Sequence, residues 1–394
     1  MIPAFPNLRE VRERLLGYRR EFVARQSNIS DERLQQLEQD QSLLTVWEAE
    51  VLGRIYGLDP DSLCEPVIRT TGDAITVLQH ADEFRQVNDA MRLAIVAAAN
   101  AARDLHRLRR LIGDEDRVDL PELRGRSDLR GRSPGTPHRQ GAWKAALLRL
   151  KLNLRGADPI PSMRDFVKMH LPSVVVLYAR LGPQGPAGLT FGDQYRAPTI
   201  VLNAEGKNEN PLVRRFSLAH ELCHVLLDWS RAEPLGLLSG YLTESGLERE
   251  RRANAFAIRL LCPEKVVDSV RTMGPREAAR ALVAYGLPYA AIRLYRRNEA
   301  MIELPRAAAA LGLSGTNSHW IEAERPDGLD SFPLEAVSLE RRTAVAEAAA
   351  HAYSLNKITR DAFAEALGVS PIEDLERVLD FFMLDPPAEV ENAA

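Results

Sequence analysis

Apolar residues recur at three- and four-residue spacing over residues 8–16, 18–26, 30–39 and 46–56, with brief polar turns between these stretches. That spacing predicts four helices in a small all-α module over residues 7–64, closed by the helix stop and turn Leu58-Asp59-Pro60-Asp61-Ser62-Leu63. Residues 71–112 keep the helical period in an alanine-rich background. Leu93, Ile95, Val96, Ala99 and Leu105 form part of one apolar stripe, so a helical connector is expected there. From 123 to 140 the pattern breaks, as glycine, proline, serine and arginine replace almost every apolar group, and a flexible basic linker is predicted. Beyond it, 216–227 and 250–261 read as helices. Residues 275–285 and 288–298 read as two closing helices, and 306–332 as a polar connection containing Trp320. Residues 334–385 are helical again, with 358–370 looking like a further helix-turn-helix-like turn. The final residues, from Pro386, carry no pattern and are expected to be disordered.

A chain of 394 residues that is 45% hydrophobic and 27% charged has ordinary globular composition and length for two to four domains. The expected division is a helical domain at 1–70, a connector at 71–122, the basic linker at 123–140, a mixed domain at 141–304, a helical accessory module at 305–385 and a tail at 386–394. Cys64, Cys223 and Cys262 show no pairing pattern, which argues against a disulfide framework and for a reducing compartment. The start of the chain lacks a basic and apolar leader, and the longest small-apolar run, 93–99, is too short to span a bilayer. A cytoplasmic protein without membrane association is expected. Oligomeric state is not legible.

The chemistry concentrates in His220-Glu221-Leu222-Cys223-His224. On a helix, residues four apart lie about 40° apart around the axis and roughly 6 Å along it, so both imidazoles can reach one tetrahedral zinc ion. Glu221 then sits beside the metal as a general base. Structural zinc sites usually close all four positions with cysteine and histidine, whereas a catalytic site uses three protein ligands and keeps one position for water. The third ligand is therefore expected to be a carboxylate on a nearby helix. Glu250 shares a helical face with Ala253, Asn254 and Ala257, whose small side chains permit close approach. Glu244 and Glu248 are its rivals.

Residues 142–264 resemble the ImmA/IrrE family of metallopeptidases. The resemblance rests on Arg215-Phe216-Ser217-Leu218-Ala219-His220-Glu221-Leu222-Cys223-His224, on Glu250-Arg251-Arg252-Ala253-Asn254-Ala255-Phe256-Ala257 and on the closing Leu260-Leu261-Cys262-Pro263. Pro159-Ile160-Pro161 and Thr199-Ile200-Val201-Leu202-Asn203 fit upstream. Cys223 stands where the family usually has glycine and Cys262 where it usually has methionine; neither is a ligand position. The resemblance implies an α+β fold with a zincin-like metallopeptidase core, helices with a small mixed sheet, flanked here by all-α N-terminal and C-terminal modules. It further implies Zn2+ held by His220, His224 and Glu250, with Glu221 as base, in an intracellular protease that cleaves helix-turn-helix repressors. By analogy with other zincins, the 199–203 strand is expected to offer its edge to an extended peptide. Tyr178, Tyr195 and Tyr241 are candidates for stabilising the oxyanion. Cys223, one turn from His220, suggests packing first and an oxidation-sensitive thiol second.

The N-terminal spacing, with Leu37-Glu38-Gln39-Asp40-Gln41 after the second turn, resembles the XRE (Cro/repressor-like) helix-turn-helix family. Residues 1–64 nevertheless hold 8 Arg and no Lys against 11 Asp plus Glu, where DNA binding calls for a basic face. Arg33, Gln35 and Gln36 are placed to read bases, but Asp31, Glu32, Glu38 and Asp40 suit a basic protein surface better than phosphates. The expected function is thus an intracellular zinc endopeptidase whose partner is a helix-turn-helix repressor, derepressing stress or mobile-element genes. The alternative is a DNA-binding regulator whose zinc domain senses metal without turnover.

Overall fold

The computed structural model describes residues 4–69, 84, 86–114, 118–123, 135–154, 158–192, 198–232, 235–239, 247–300, 302–311, 318–325, 329–369 and 374–387. Expectations that fall on 71–83, on the arginine-rich 124–134 and on the tail from 388 lie outside the described residues.

Local capping chemistry sets the N-terminal helices. Asn7 caps α1 (Leu8–Glu10), which continues as a π-helical turn over Val11–Leu16 and stops at Gly17, with φ of 67°. Helix α2 (Arg20–Ser27) ends at Asn28, left-handed at φ of 56°. The Ser30 hydroxyl accepts from Arg33 N to start α3 (Asp31–Gln39), and Thr45 and Glu48 form a capping box on α4 (Val46–Tyr56). Asp59 and Pro60 open the short α5 (Pro60–Leu63) at the predicted helix stop. Strand β1 (Ala4–Phe5) pairs antiparallel with β2 (Ile68–Arg69) and ties the two ends of the module together.

The charges of this module are largely spent on each other. Buried Arg12 grips Glu38 through Nε to Oε1 at 2.5 Å and Nη2 to Oε2 at 3.1 Å, joining the first helix to α3. Arg20 clamps Asp31 through two bonds of 2.8 Å. Arg33 donates to both Glu48 oxygens, at 2.7 and 3.0 Å, and to the Leu43 carbonyl. Arg33 is therefore committed to the capping box of α4 and is not a free base reader, while Gln35 and Gln36 are exposed.

Next come α6 (Asp89–Leu111), α7 (Pro137–Lys151), α8 (Met163–His170), β3 (Val175–Ala179), β4 (Gly188–Gly192), β5 (Thr199–Asn203), α9 (Pro211–Leu227), β6 (Leu235–Ser239) and α10 (Leu247–Leu261). The rest is helical: α11 (Glu264–Ser269), α12 (Pro275–Ala284), α13 (Tyr289–Ala300), α14 (Ser318–Ala323), α15 (Ala344–Ser354), α16 (Arg360–Leu367) and α17 (Leu375–Phe381). Helix α7 begins at Pro137, so the predicted linker ends there: Pro137 takes the first helical position, where its missing N–H is harmless. No helix among the described residues is long and apolar enough to cross a membrane.

The sheet order is β3-β5-β4-β6, with β5 parallel to β3 and antiparallel to β4. Strand β5 is thus an interior strand with both edges paired, which corrects the expectation that 199–203 offers an edge to a peptide. The outer strand beyond β4 is β6. The sheet is buried on both faces. Val175, Leu177 and Val201 join one apolar core with α6, α15 and the N-terminal helices, while Val174, Tyr178, Ile200 and Leu202 join a second with α9 and α10.

The 306–332 stretch also differs from its reading as a polar connection. Trp320 of α14 is buried, with the guanidinium of Arg215 stacked 3.9 Å from its ring centre. Arg215 also donates to Glu324 Oε1 at 2.9 Å and to the Ile160 carbonyl at 2.8 Å.

Candidate metal centre

Helix α9 starts where Asn210 accepts from Leu212 N and Pro211 occupies the first helical position. It runs beneath the sheet, almost wholly buried, and carries His220, Glu221 and His224 on consecutive turns. Helix α10 crosses it and brings Glu250. Ala253 and Ala257 are fully buried at this crossing, so no bulk holds the helices apart.

Three donor groups converge. His220 Nε2 and His224 Nε2 are 3.2 Å apart, His220 Nε2 lies 3.1 Å from Glu250 Oε2, and His224 Nε2 lies 3.3 Å from Glu250 Oε1. The far ring nitrogens are spoken for: His224 Nδ1 bonds Asp228 Oδ2 at 2.8 Å and His220 Nδ1 bonds Asn254 Oδ1 at 3.2 Å. Donating Nδ1–H to these oxygens leaves an Nε2 lone pair on each ring, both aimed at a carboxylate. With both rings neutral in that tautomer the set is mutually repulsive unless a cation, a metal ion or a proton, sits among the three groups. Its edges match the roughly 3.3–3.4 Å spacing of ligands on a tetrahedron around zinc at 2.0–2.1 Å. The residues therefore fit a zinc ion, and His220, His224 and Glu250 are the cluster of donors able to hold one among the described residues.

Electrostatics bind the cluster to its surroundings. Burial alone would lower the His224 pKa, but the Asp228, Glu250 and Glu221 carboxylates reverse this and raise it to about 9. Burial would raise Glu250, yet the two imidazoles hold its carboxyl well below the ordinary range. Asp228 behaves likewise, held down by His224 and by Arg252, which contacts its other oxygen.

Glu221 sits against β4 instead of joining the triad. Its Oε2 accepts from Thr190 Oγ1 at 2.7 Å, while Oε1 is buried without a hydrogen-bond partner. A side chain at Gly188 would place its Cβ 2.9 Å from Glu221 Cγ and Oε1, so only glycine leaves room for this carboxylate. The placement leaves one oxygen anchored and the other without a hydrogen-bond partner among the described residues.

Among the remaining expectations, Glu248 is exposed in the first turn of α10, away from the donors. Glu244, Tyr195 and Tyr241 lie outside the described residues. Tyr178 is on β3, two strands from β4 and so roughly 10 Å from the Glu221 side of the sheet. Cys223 is fully buried and burial pushes its thiol pKa up, which fits packing and closes it to oxidants. Sequence reading named neither Asp228 nor Thr190 and gave Asn254 only a packing role. Asp228 and Asn254 continue the four-residue spacing of His220 and His224 and of Glu250, a signal present in the chain.

No curated protein and no solved structure matches the chain. Residues 172–294, from the approach to β3 through the donor triad to α13, match the family model of the M78 peptidases, described as the IrrE N-terminal-like domain.

Proposed function

We propose that the protein is a zinc-dependent endopeptidase whose substrate is a helix-turn-helix repressor. The observation that carries this reading is Glu221 Oε1, a buried carboxylate oxygen with no partner beside three converging donors. A purely structural or metal-sensing site has no need for such a group. His220, His224 and Glu250 would hold the zinc ion, which would supply a Lewis acid for the scissile carbonyl and make a water nucleophile available near neutral pH. Glu221 accepts a proton at Oε1 and passes it to the leaving nitrogen, while Thr190 fixes the carboxylate through Oε2. An extended substrate segment pairs with the outer strand β6, next to β4 and Glu221.

The N-terminal module docks the substrate. Leu43, Val46 and Trp47 are 48%, 77% and 52% exposed at the junction of α3 and α4, beside exposed Glu32 and Asp40. An apolar and acidic face suits a basic protein better than DNA, and Arg33, the cation at this junction, is engaged with Glu48.

Metal analysis together with Glu221→Gln tests the reading. The parent should bind one zinc per chain and cleave a repressor drawn from the host's helix-turn-helix set. The variant should keep the zinc and lose about 10²–10⁴-fold in rate, the usual contribution of general acid-base catalysis. Undiminished cleavage by Glu221→Gln would remove the base, and zinc-free parent protein would remove the centre itself.

A further inference from the structure

A cavity of about 890 Å³ is walled by α7, α10, α11 and α13. Arg139, Arg251, Arg259, Arg271 and Arg297 line it against a single carboxylate, Glu264. Like charges gathered around one concavity repel one another and focus a positive potential into it. Their local compensation is thin. Arg271 has Asp268 at 3.5 Å and Arg259 has Glu264 at 3.6 Å, whereas Arg139, Arg251 and Arg297 have no carboxylate partner among the described residues. Arg259 Nη1 is buried and makes no hydrogen bond. Buried donors are normally satisfied, so this nitrogen marks a place for an acceptor oxygen.

The volume is that of a small-molecule site and much larger than one phosphate needs. The remaining walls are apolar and aromatic: Ile258, Leu294, the rim of largely buried Tyr295, and Trp143, whose ring also carries the Lys144 ammonium at 4.8 Å. We propose that this cavity binds a phosphate-bearing small molecule with an aromatic ring, that is, a nucleotide, its phosphates met by the arginines and its base by the aromatic walls. The site is separate from the donor triad, yet Asn254 belongs to both: it lines the cavity and bonds His220 Nδ1. The inference holds whether or not the metal centre hydrolyses peptides.

Calorimetric titration of the full chain with ADP, GDP, pyrophosphate and adenosine tests it. At least one of the three phosphates should bind, more weakly as salt is raised, and adenosine should bind at least about tenfold more weakly than ADP because it lacks the charge-assisted contacts. R251Q/R297Q, two changes at exposed positions, should weaken binding by about tenfold or more. E264Q should tighten it, an effect that damage to the fold cannot produce. Absence of binding by all three phosphates, adenosine binding as tightly as ADP, or affinities unmoved by R251Q/R297Q and E264Q would overturn the proposal.

Discussion

Asp228 stands one helical turn beyond His224 and accepts its Nδ1 proton at 2.8 Å, while Arg252 of α10 holds the other carboxylate oxygen. The contact fixes the tautomer that turns the Nε2 lone pair towards Glu250. Asp228→Asn keeps the shape of the side chain but weakens this hold. Zinc affinity should fall about 10- to 100-fold, the usual effect of altering a group that orients a metal-bound histidine. Chelator competition would measure it, and unchanged affinity would reduce Asp228 to a partner of Arg252 alone.

The position of Glu250 separates it from its neighbour in sequence. Glu250→Ala should strip the metal as thoroughly as His220→Ala, because a three-ligand site loses a third of its donors. Glu248→Ala should leave zinc content untouched, since that carboxylate is exposed. Metal analysis of the purified variants decides between them, and the reverse result would reassign the ligand.

Arg215 joins the helix that carries His220 and His224 to α14 through Trp320 and Glu324. Replacing it with methionine leaves the buried Glu324 carboxyl with the Met163 N–H but without its ion-pair partner, for which about 3–5 kcal/mol of destabilisation is expected. Chemical denaturation would read the loss. Trp320→Ala should be destabilising as well, by about 3–5 kcal/mol for a buried aromatic.

Acid stability offers a test of the N-terminal helices. The Arg33 guanidinium, and then the Thr45 cap, hold the Glu48 carboxyl at about 2, below its ordinary 4.5. A carboxyl depressed in the folded state stabilises above its unfolded pKa, so this contribution is present above about pH 4.5 and fades as the pH falls towards 2. It amounts to about 2 kcal/mol, allowing for solvent screening at the partly exposed Arg33. Denaturation curves collected between pH 5 and 3 should therefore show a shallower loss of stability in Arg33→Gln than in the parent. Parallel curves would mean that the pair contributes nothing.

Local features of this molecule were legible because their causes are local. The N-terminal helices follow from apolar spacing and caps such as Ser30 and Thr45, and the convergence of His220 with His224 follows from one turn of helix. Strands β4 and β6 went unseen because Gly-Leu-Thr-Phe-Gly and Leu-Gly-Leu-Leu-Ser are five-residue runs carrying glycine, and only the first keeps a short alternation. A sheet buried on both faces imposes no polar side, and period-two patterning is lost. The place of β5 inside the sheet depends on partners far along the chain, which no window around 199–203 contains. Arg215 and Glu324 are 109 residues apart. Trp320 looked like a stray aromatic in a polar stretch because the cation it stacks on belongs to α9.

The sheet acts as a party wall. Along β5, Ile200 and Leu202 point into the room that houses the donor triad, and Val201 points into the one built by α6, α15 and the N-terminal helices. A single thickness of backbone serves both sides. Removal of the outlying helices would leave Leu177 and Val201 facing water and the strands over α9 without backing. The terminal modules are in this sense masonry for the donor triad, so a nick or truncation within them would reach His220, His224 and Glu250 through the wall without any direct contact.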